Sequence, residues 1–542
     1  MSLKDNILID RPQIYNIRNS TGLNFSIFEN GSIKSIEQGS VQINLIPGSS
    51  LEPGCSNLYL RKRGDKFIAV PLLGPKGPGN HVVNENIYEV KGKFGGILFS
   101  CRLLLAKKDD SWLWDVQIVN ASGKRQEFDL LYVQDVGLAC ADGNEKNEFY
   151  ISQYVDYMPL WHREHGHVIC CRQNEHGPDG FPWLALGSIS KTNSFSTDGM
   201  QFFGPVYKET GVAHCLSVSE LPGLCQQELA VVALQEKPFI LEPGQSCNLG
   251  FFGIFCEDHV TPTASDDLEM IDSRLEQLKK LSDRPWSDKY VYEEPTRSLF
   301  SESSLFPSED LTEDELDSLF GVNRRYSEFF EGELLSFFYG ENQHVVLRGK
   351  ELRVERPHGH IMKTGTGLTP NDINMSFSAY MFGVFQSHVA QGNVNFNRFL
   401  TLNTNSLNIP RHTGQRIFVR QNGEYYQLGI PSAFEMSLNG CRWIYKQGDL
   451  MFEVLSWAAP DRPEIILKLR VLQGRQPEWL ISNQLASEQD WSLEHDSQNN
   501  GDKLIKFVPG KKSKLARMFP GGFFSVRLEN SEVIKQTGGD EL

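Results

Sequence analysis

Short runs in which large apolar side chains recur at every second position constrain the fold of this chain more than any other feature. In residues 112–118, two indoles and the side chains of Val116 and Ile118 fall at alternate positions, which places them on one face of a β-strand. Strand-type runs also occupy 128–136, 167–172, 228–234 and 247–255, and they return from about 334 to 472. The Asn-Gly pairs at 30–31 and 422–423 are typical of type I′ hairpin turns. The sequence therefore predicts a mainly β chain of antiparallel strands packed as sandwiches.

One segment departs from this pattern and predicts helices. From residue 265, leucine and isoleucine recur at helical spacing until Pro285, with acidic residues at the start and Lys279 and Lys280 near the end. A second short helix is predicted to begin at Thr312, with Glu315 completing a capping box. We therefore predict a first sandwich domain at 1–262, an acidic linker with two helices at 263–330, and a second sandwich domain at 331–542. Truncation of this second domain at its C-terminus is an open alternative.

Composition limits the class of protein. A chain of 542 residues is too long for one core, and its 40% hydrophobic content is enough to bury several. The formal net charge of −15 argues against nucleic-acid partners, because phosphate contacts need basic patches. The ten cysteines include no C-x-x-C pair, and most lie in apolar runs, so we expect reduced thiols and a cytoplasmic protein. No signal peptide and no bilayer-spanning apolar run is expected.

The segment 147–204 has the chemistry of a sugar-binding surface. Aromatic rings stack on pyranose faces, and acid, amide and guanidinium groups pair with hydroxyls. The candidates are Tyr154, Asp156, Arg172, Gln173 and Trp183. The alternative is that the aromatic residues pack in a core or an interface.

Two His-Gly-His motifs carry histidines at alternate positions, His165 with His167 and His358 with His360. Alternate positions on a strand share one face, so each pair could hold an ion. Because no carboxylate or cysteine completes either set, we expect no metal and no cofactor. We expect His358 and His360 to contact sugar, with a domain interface as the alternative.

No catalytic residue is assigned from the sequence. Glycoside chemistry needs a carboxylic acid and either a second carboxylate or phosphate. Carboxylates are present at Asp135, Asp156, Asp198, Asp372 and Glu435, but no pattern pairs them. The nucleophile elbow and the phosphate loop are both absent.

Several motifs resemble, in order along most of the chain, the C-terminal phosphorylase-like region of bacterial cyclic β-1,2-glucan synthases. The related 1,2-β-oligoglucan phosphorylases and cellobiose phosphorylases, of glycoside hydrolase family 94, are similar. The matching motifs are Asn57-Leu-Tyr-Leu-Arg-Lys-Arg-Gly, Tyr150-Ile-Ser-Gln-Tyr-Val-Asp, Arg172-Gln-Asn, Pro182-Trp-Leu-Ala-Leu-Gly-Ser, Glu355-Arg-Pro-His-Gly-His and Gln391-Gly-Asn-Val-Asn-Phe-Asn-Arg-Phe-Leu.

The resemblance implies two tandem antiparallel β-supersandwich domains of the galactose-mutarotase-like type. In that family the sandwiches precede a helical barrel that carries the catalytic acid, and a membrane-embedded glucosyltransferase portion precedes them. The resemblance thus implies a fragment of a larger cytosolic part of an inner-membrane protein that makes β-1,2-glucan from UDP-glucose. Its implied partners are β-1,2-glucan or oligoglucan, the barrel and the glucosyltransferase portion.

Three hypotheses follow. The first is a non-catalytic scaffold that binds glucan through the seven candidate residues. The second is a free-standing mutarotase-like epimerase that pairs His167 or His358 with Glu435. The third is an assembly or homodimerisation module without glycan contact.

Overall fold

The computed structural model describes residues 12–84, 86–146, 148–226, 229–286, 293–367, 369, 371–392, 397–402, 405–497 and 503–529. The chain forms two compact units. Described residues of the first unit lie within 12–207 and 212–302, and those of the second within 208–211 and 303–529. Among the described helices, none has the length and apolar character needed to span a membrane.

The helices are short except one. They are α1 (Ala141–Lys146), α2 (Glu148–Gln153), α3 (Gly199–Phe203), α4 (Tyr207–Thr210), α5 (Asp267–Ser282), α6 (Leu299–Glu302), α7 (Glu313–Phe320), α8 (Arg348–Glu351) and α9 (Lys514–Met518), with single turns of 3₁₀ helix at His214–Ser217 and Ser487–Gln489.

The described residues of the first unit form two sheets, whose strands are antiparallel except for one parallel bridge between Gly166 and Thr192. Its strands are β1 (Ile14–Arg18), β2 (Asn24–Phe28), β3 (Ile33–Gln38), β4 (Val41–Gln42), β5 (Asn57–Lys62), β6 (Ile68–Pro71), β7 (Gly79–Asn84), β8 (Ile87–Phe94), β9 (Ile97–Leu105), β10 (Ser111–Asn120), β11 (Gln126–Asp135), β12 (Val155–His162), β13 (Gly166–Gln173), β14 (Trp183–Ser188), β15 (Thr192–Asp198), β16 (Ala230–Glu236), β17 (Phe239–Leu241) and β18 (Ser246–Cys256). The first four form one sheet, and the other fourteen form a second in the order β6-β5-β11-β16-β15-β13-β14-β18-β10-β9-β8-β7, with β12 beside β13 and β17 beside β11.

Aromatic side chains pack the two sheets of the first unit together. Phe25 of β2 meets the rings of Trp112 and Trp114 of β10 edge-on at 5.4 and 6.3 Å, and all three are fully buried. On the large sheet, α5 buries Ile271, Leu275 and other apolar side chains of one stripe. The alternation of 112–118 and the helical spacing after residue 265 are thus both confirmed.

In the second unit, the described residues form two seven-stranded sheets and one three-stranded sheet. Its strands are β19 (Ser304–Leu305), β20 (Arg325–Phe330), β21 (Glu333–Tyr339), β22 (Gln343–Leu347), β23 (Gly359–Lys363), β24 (Met375–Tyr380), β25 (Val384–Gln391), β26 (Gln415–Gln421), β27 (Glu424–Gln427), β28 (Ala433–Ser437), β29 (Gly440–Gln447), β30 (Leu450–Ala458), β31 (Ile465–Gln473), β32 (Glu478–Asn483), β33 (Ser492–Ser497), β34 (Lys503–Val508) and β35 (Phe524–Leu528). The order β19-β27-β26-β25-β24-β23, with β32 beside β26, faces the order β20-β21-β22-β28-β29-β30-β31 across a core that contains Phe385, Phe434 and Trp443. The predicted mainly β, sandwich-type fold is therefore confirmed.

The two Asn-Gly pairs differ in their turns. Asn422 and Gly423 both have positive φ, 51° and 89°, and join β26 to β27 as the two-residue turn that the sequence predicts. At 30–31 a hairpin also forms, but only Gly31 has positive φ. There the Asn30 side chain accepts from the Ser32 N–H at 2.9 Å and donates to the Ser49 carbonyl at 2.8 Å, which fixes a longer turn.

The predicted linker at 263–330 is divided between the units. Helix α5 packs on the first unit, and α7 packs its Leu316 and Phe320 against the second, so the contacts separate the units between 302 and 303. The predicted capping box at α7 is confirmed, because Thr312 and Glu315 exchange hydrogen bonds of 2.7 and 3.3 Å.

Candidate functional site

Strand β12 carries the exposed part of the predicted sugar surface. Among the described strands it pairs with β13 alone, in a register that sets Asp156 against Arg172 and Trp161 against His167. The outer edge of β12 is protected at Tyr157, whose N–H donates to Gln226 Oε1 at 3.3 Å and whose carbonyl accepts from Gln226 Nε2 at 3.0 Å. Pro159, two residues on, has no N–H to offer. The edge therefore resists further strand pairing while its side chains stay accessible.

Tyr154 and Asp156 are the two predicted sugar contacts of the first unit that solvent reaches. Tyr154, just before β12, is 39% exposed and lies against Tyr150 of α2, with ring centroids 4.8 Å apart. A hydrogen bond with Tyr154 and the charge of Glu175 raise the pKa of Tyr150. Asp156 is half-buried and accepts from Gln226 Nε2 at 3.3 Å. We call Tyr150 and Tyr154 the tyrosine pair.

Arg172 and Gln173 hold the loops around β13 instead of facing solvent. Arg172 is 8% exposed, donates to the carbonyls of His259 and Val260 at 2.9 and 3.2 Å, and stacks on Phe181. Gln173 is 2% exposed and donates to two carbonyls at 3.4 Å. Both side chains therefore act as framework in this structure.

Trp183 is part of the core. Its side chain is fully buried, its indole N–H donates to Thr263 Oγ1 at 2.9 Å, and its ring stacks on His259 at 5.1 Å and an angle of 10°. With both its faces packed, the indole presents no surface to a ligand. The packing alternative that the sequence left open describes this residue.

Trp161 is an exposed aromatic residue that sequence reasoning missed. It is 57% exposed on β12, whereas the other eight tryptophans, which all lie in the described residues, are buried or half-buried. His167 meets its ring edge-on at 4.9 Å, and Lys191 Nζ lies 5.3 Å from its centroid. The signal in the sequence is its position directly before four polar residues, His162 to His165.

A shallow polar cleft of about 390 Å³ lies beside the turn that follows Trp161. It is lined by His162, Arg163, Glu164, Asp272, Leu275, Glu276 and Lys279. Nδ1 of His162 accepts from the N–H groups of Glu164 and His165, both at 3.1 Å, so the ring proton lies on Nε2, which donates to Asp272 at 2.9 Å. The hydrogen bond from His162 to Asp272 thus connects the end of β12 to α5, and it fixes the tautomer of the His162 ring.

In the second unit, His358 is oriented by a buried carboxylate. Its Nδ1 and its backbone N–H donate to Glu351 Oε2 at 2.7 and 3.1 Å, and Glu351 is fully buried. Lys208 Nζ, grouped with this unit, lies 3.6 Å from Glu351 Oε1. Burial lowers the pKa of Lys208, and the charge of Glu351 opposes that shift. Glu351 thus lies between the Lys208 ammonium group and the His358 ring, and it holds that ring in place.

His360 has a separate partner. Its Nε2 donates to the Ser437 carbonyl at 2.8 Å, a bond between β23 and β28. Near His358, His344 stacks on Phe338 at 4.4 Å, and burial together with the charges of Lys350 and His358 lowers the pKa of His344. His358 and His360 are both half-buried, and neither has a bonding pattern that indicates a sugar.

The carboxylates considered from sequence mostly have structural partners. Asp135 accepts from Ser56 and from the N–H groups of Leu45 and Ile46, and its burial raises its pKa. Asp198 caps α3, and Glu435 pairs with Arg442 at 3.3 Å.

Neither His-Gly-His motif forms a metal site in the structure as described. His165 stacks on His162 at 4.7 Å, while His167 lies against Trp161. Within the ranges that the structure covers, no group of three or more His, Cys, Asp or Glu side chains could hold an ion. All ten cysteines are free thiols.

Each of the two units contains a segment that matches a known protein-family domain. Residues 26–253 match the SOGP N-terminal domain. Residues 322–540 match a glycoside phosphorylase supersandwich domain. The resemblance seen in the motifs is thus supported on its phosphorylase side, and a supersandwich is the fold of the second unit.

A curated relative spans both domains. The chain is 28% identical over 511 residues to a 1,2-beta-oligoglucan phosphorylase of Listeria innocua serovar 6a, which is 93% of this chain and 45% of that protein. The chain therefore spans less than half the length of this relative.

Two solved structures have weaker similarity. A bacterial glucoamylase complexed with acarbose is 9% identical, covers 51% of this chain and 36% of its own, and has a TM-score of 0.31. A galactose mutarotase-like protein from Lactobacillus casei is 9% identical, covers 45% and 100%, and has a TM-score of 0.25. Scores this low add nothing to the assignment.

Proposed function

We propose that this chain is the β-sandwich region of a phosphorylase-type protein that acts on β-1,2-linked oligoglucans, and that it contacts the glucan without carrying the chemistry. The observation that carries this proposal is the similarity along 93% of the chain to a 1,2-beta-oligoglucan phosphorylase. A cyclic β-1,2-glucan synthase would handle the same type of glucan, and the origin of this chain in such a synthase stays a prediction. A cytoplasmic location also stays a prediction.

The tyrosine pair and Asp156 are the proposed contact surface. An exposed phenol ring offers an apolar face to a pyranose and a hydroxyl at its tip, and a neighbouring carboxylate accepts from sugar hydroxyls. Tyr154 and Asp156 lie two residues apart at the start of β12, and Tyr150 widens the same surface.

The contacts of His358 argue against the epimerase hypothesis as first framed. That hypothesis pairs His167 or His358 with Glu435, yet His358 bonds to the buried Glu351, and Glu435 bonds to Arg442. A general base must lie within hydrogen-bond reach of the substrate. The carboxyl group that His358 contacts is that of Glu351, which is fully buried and therefore out of reach of a substrate. A scaffolding role for His358 agrees better with these contacts.

Calorimetric titration of the chain with β-1,2-oligoglucans tests the proposal, with β-1,4-linked oligoglucans of equal length as the ligand control. We expect saturable binding of the β-1,2 series. Tyr154→Ala should weaken it about tenfold, since a stacking contact is worth roughly 1 kcal/mol or more. Tyr326→Ala, which removes a tyrosine 81% exposed in the second unit, is the matched control and should leave binding unchanged.

An activity assay on the same preparation covers the catalytic half of the proposal. With inorganic phosphate and β-1,2-oligoglucan, we expect no release of glucose 1-phosphate by this chain alone. Steady release, or absence of any binding at millimolar glucan, would contradict the proposed role. A homodimer would be detected in the same samples by light scattering.

A further inference from the structure

Trp161 has the surroundings of a built binding point. His167 packs edge-on against it and is itself backed by Phe195, with ring centroids 4.9 Å apart in both contacts. The indole is therefore held in one orientation while more than half of its surface stays open to solvent, at 57% exposure. A ring fixed in this way loses little conformational freedom when a ligand stacks on it.

The groups beside Trp161 are hydrogen-bond donors. Lys191 Nζ lies 5.3 Å from the ring centroid, and no described carboxylate forms an ion pair with Lys191. His167 is half-buried, and burial lowers its pKa, so at neutral pH its ring offers one donor and one acceptor. One aromatic face flanked by such groups suits a ligand with apolar C–H faces and many hydroxyls.

A protein partner suits this surface less well. Protein interfaces bury roughly 800 Å² on each side and centre on clustered apolar side chains. Here the residues that follow Trp161 are His162, Arg163 and Glu164, all polar, and the neighbouring Lys191 is exposed. The surface around Trp161 is therefore too polar for an apolar protein contact.

The geometry of β12 relates Trp161 to the tyrosine pair. Tyr154 and Trp161 are seven positions apart, which is about 23 Å at 3.3 Å per residue. Because the separation is an odd number of positions, the two side chains point to opposite faces of the sheet. A ligand that lies along the outer edge of β12 can therefore contact both. That edge has no strand neighbour in the described structure.

We propose that Trp161, with Lys191 and His167, is a second stacking point for the same glucan chain, used only by chains long enough to extend from the tyrosine pair along the β12 edge. This inference rests on the proposed function and adds a length dependence to it. Two linked contacts raise the affinity of a ligand that spans both, because the second contact forms within the complex.

Titration with β-1,2-oligoglucans of increasing length tests the inference. In the native chain we expect affinity to rise about tenfold or more once the glucan spans both points. Trp161→Ala should remove this rise and leave the affinity of the disaccharide within about twofold, while Trp161→Phe retains most of it. Ile68→Ala, which removes an exposed apolar side chain on β6 at the far end of the sheet path, is the control.

The outcomes separate the two proposals. If the native chain binds no β-1,2-glucan of any length, the proposed function fails. If it binds with a length-dependent rise that Trp161→Ala leaves unchanged, the proposed function stands and the second stacking point is wrong. Unchanged far-ultraviolet circular dichroism and an unchanged urea midpoint in both Trp161 variants confirm that folding is preserved.

Discussion

At the scale of single residues, the environment of a side chain decides its role, and the sequence does not display that environment. Trp161 and Trp183 both lie in strands of one sheet, but one is 57% exposed and the other is fully buried. Both belong to segments rich in Pro, Gly and polar residues, so composition predicts the same use for each. What separates them is α5 and the loop at 256–263, which cover Trp183 from distant positions in the chain.

Trp183→Ala should lower the free energy of unfolding by about 3–5 kcal/mol, because it leaves a large cavity and an unpaired Thr263 hydroxyl. Urea denaturation measures the loss. In the fraction that remains folded, glucan affinity should be unchanged. A stable variant with weakened binding would show that Trp183 contacts the ligand after all.

Glu236 should make stability depend on pH. Burial raises its pKa to about 8 from an ordinary 4.5, opposed by a hydrogen bond from Ser188. The folded state therefore keeps a proton that the unfolded state releases, and stability falls as pH rises from 4.5 to 8. At 1.36 kcal/mol per pH unit this amounts to roughly 5 kcal/mol.

Replacing Glu236 by Gln should flatten that slope and raise the free energy of unfolding at pH 8. Urea denaturation at pH 5.5 and pH 8 measures it. An equal slope in the variant and the native chain would show that Glu236 is ionised in the fold.

At the scale of elements, periodic spacing in the sequence predicts helices and strands well. It does not predict which charged side chains meet as buried ion pairs. The stripe of α5 and the Thr312 capping box follow from spacing over a few residues. By contrast, Lys208 and Glu351 are 143 residues apart, and only the folded chain reveals that they meet. The turn at Asn30 was mispredicted for a similar reason, because its side chain bonds to Ser49, nineteen residues away.

Arg102 fixes the C-terminal end of α5. It forms an ion pair with Asp115 at 2.7 Å and donates to the carbonyl of Ser282, which the helix end leaves unpaired. It also donates to the carbonyls of Arg284 and Pro285 just beyond the helix. Burial raises the pKa of Asp115, and the charge of Arg102 opposes that shift. A single guanidinium thus anchors the helix and neutralises a buried carboxylate.

Arg102→Met should lower the free energy of unfolding by about 3–5 kcal/mol at pH 8, because Asp115 is left as an unpaired buried charge. The loss should be smaller at pH 5.5, where Asp115 can protonate. Arg102→Met with Asp115→Asn should recover part of it. If the double variant is no more stable than the single one, the anchoring of α5 outweighs the buried charge.

At the scale of the whole molecule, the sandwich architecture was predictable from the sequence. The boundary between the two compact units was harder to predict. Alternating runs and turns on both sides of residue 300 predicted two β regions, which the fold confirms. The predicted linker is assigned by packing to two different units, a result that depends on the buried faces of α5 and α7. Of the candidate site, Tyr154 and Asp156 are accessible, while Arg172, Gln173 and Trp183 support the surface from beneath.

Hydrogen exchange with and without a long β-1,2-oligoglucan tests most directly whether the β12 edge meets the ligand. We predict slower exchange in residues 150–162 and no change in β31, a partly exposed strand at the edge of a sheet of the second unit. Protection of 150–162 that disappears in the Tyr154→Ala variant would support the account. Saturated binding without any protection in 150–162 would contradict it.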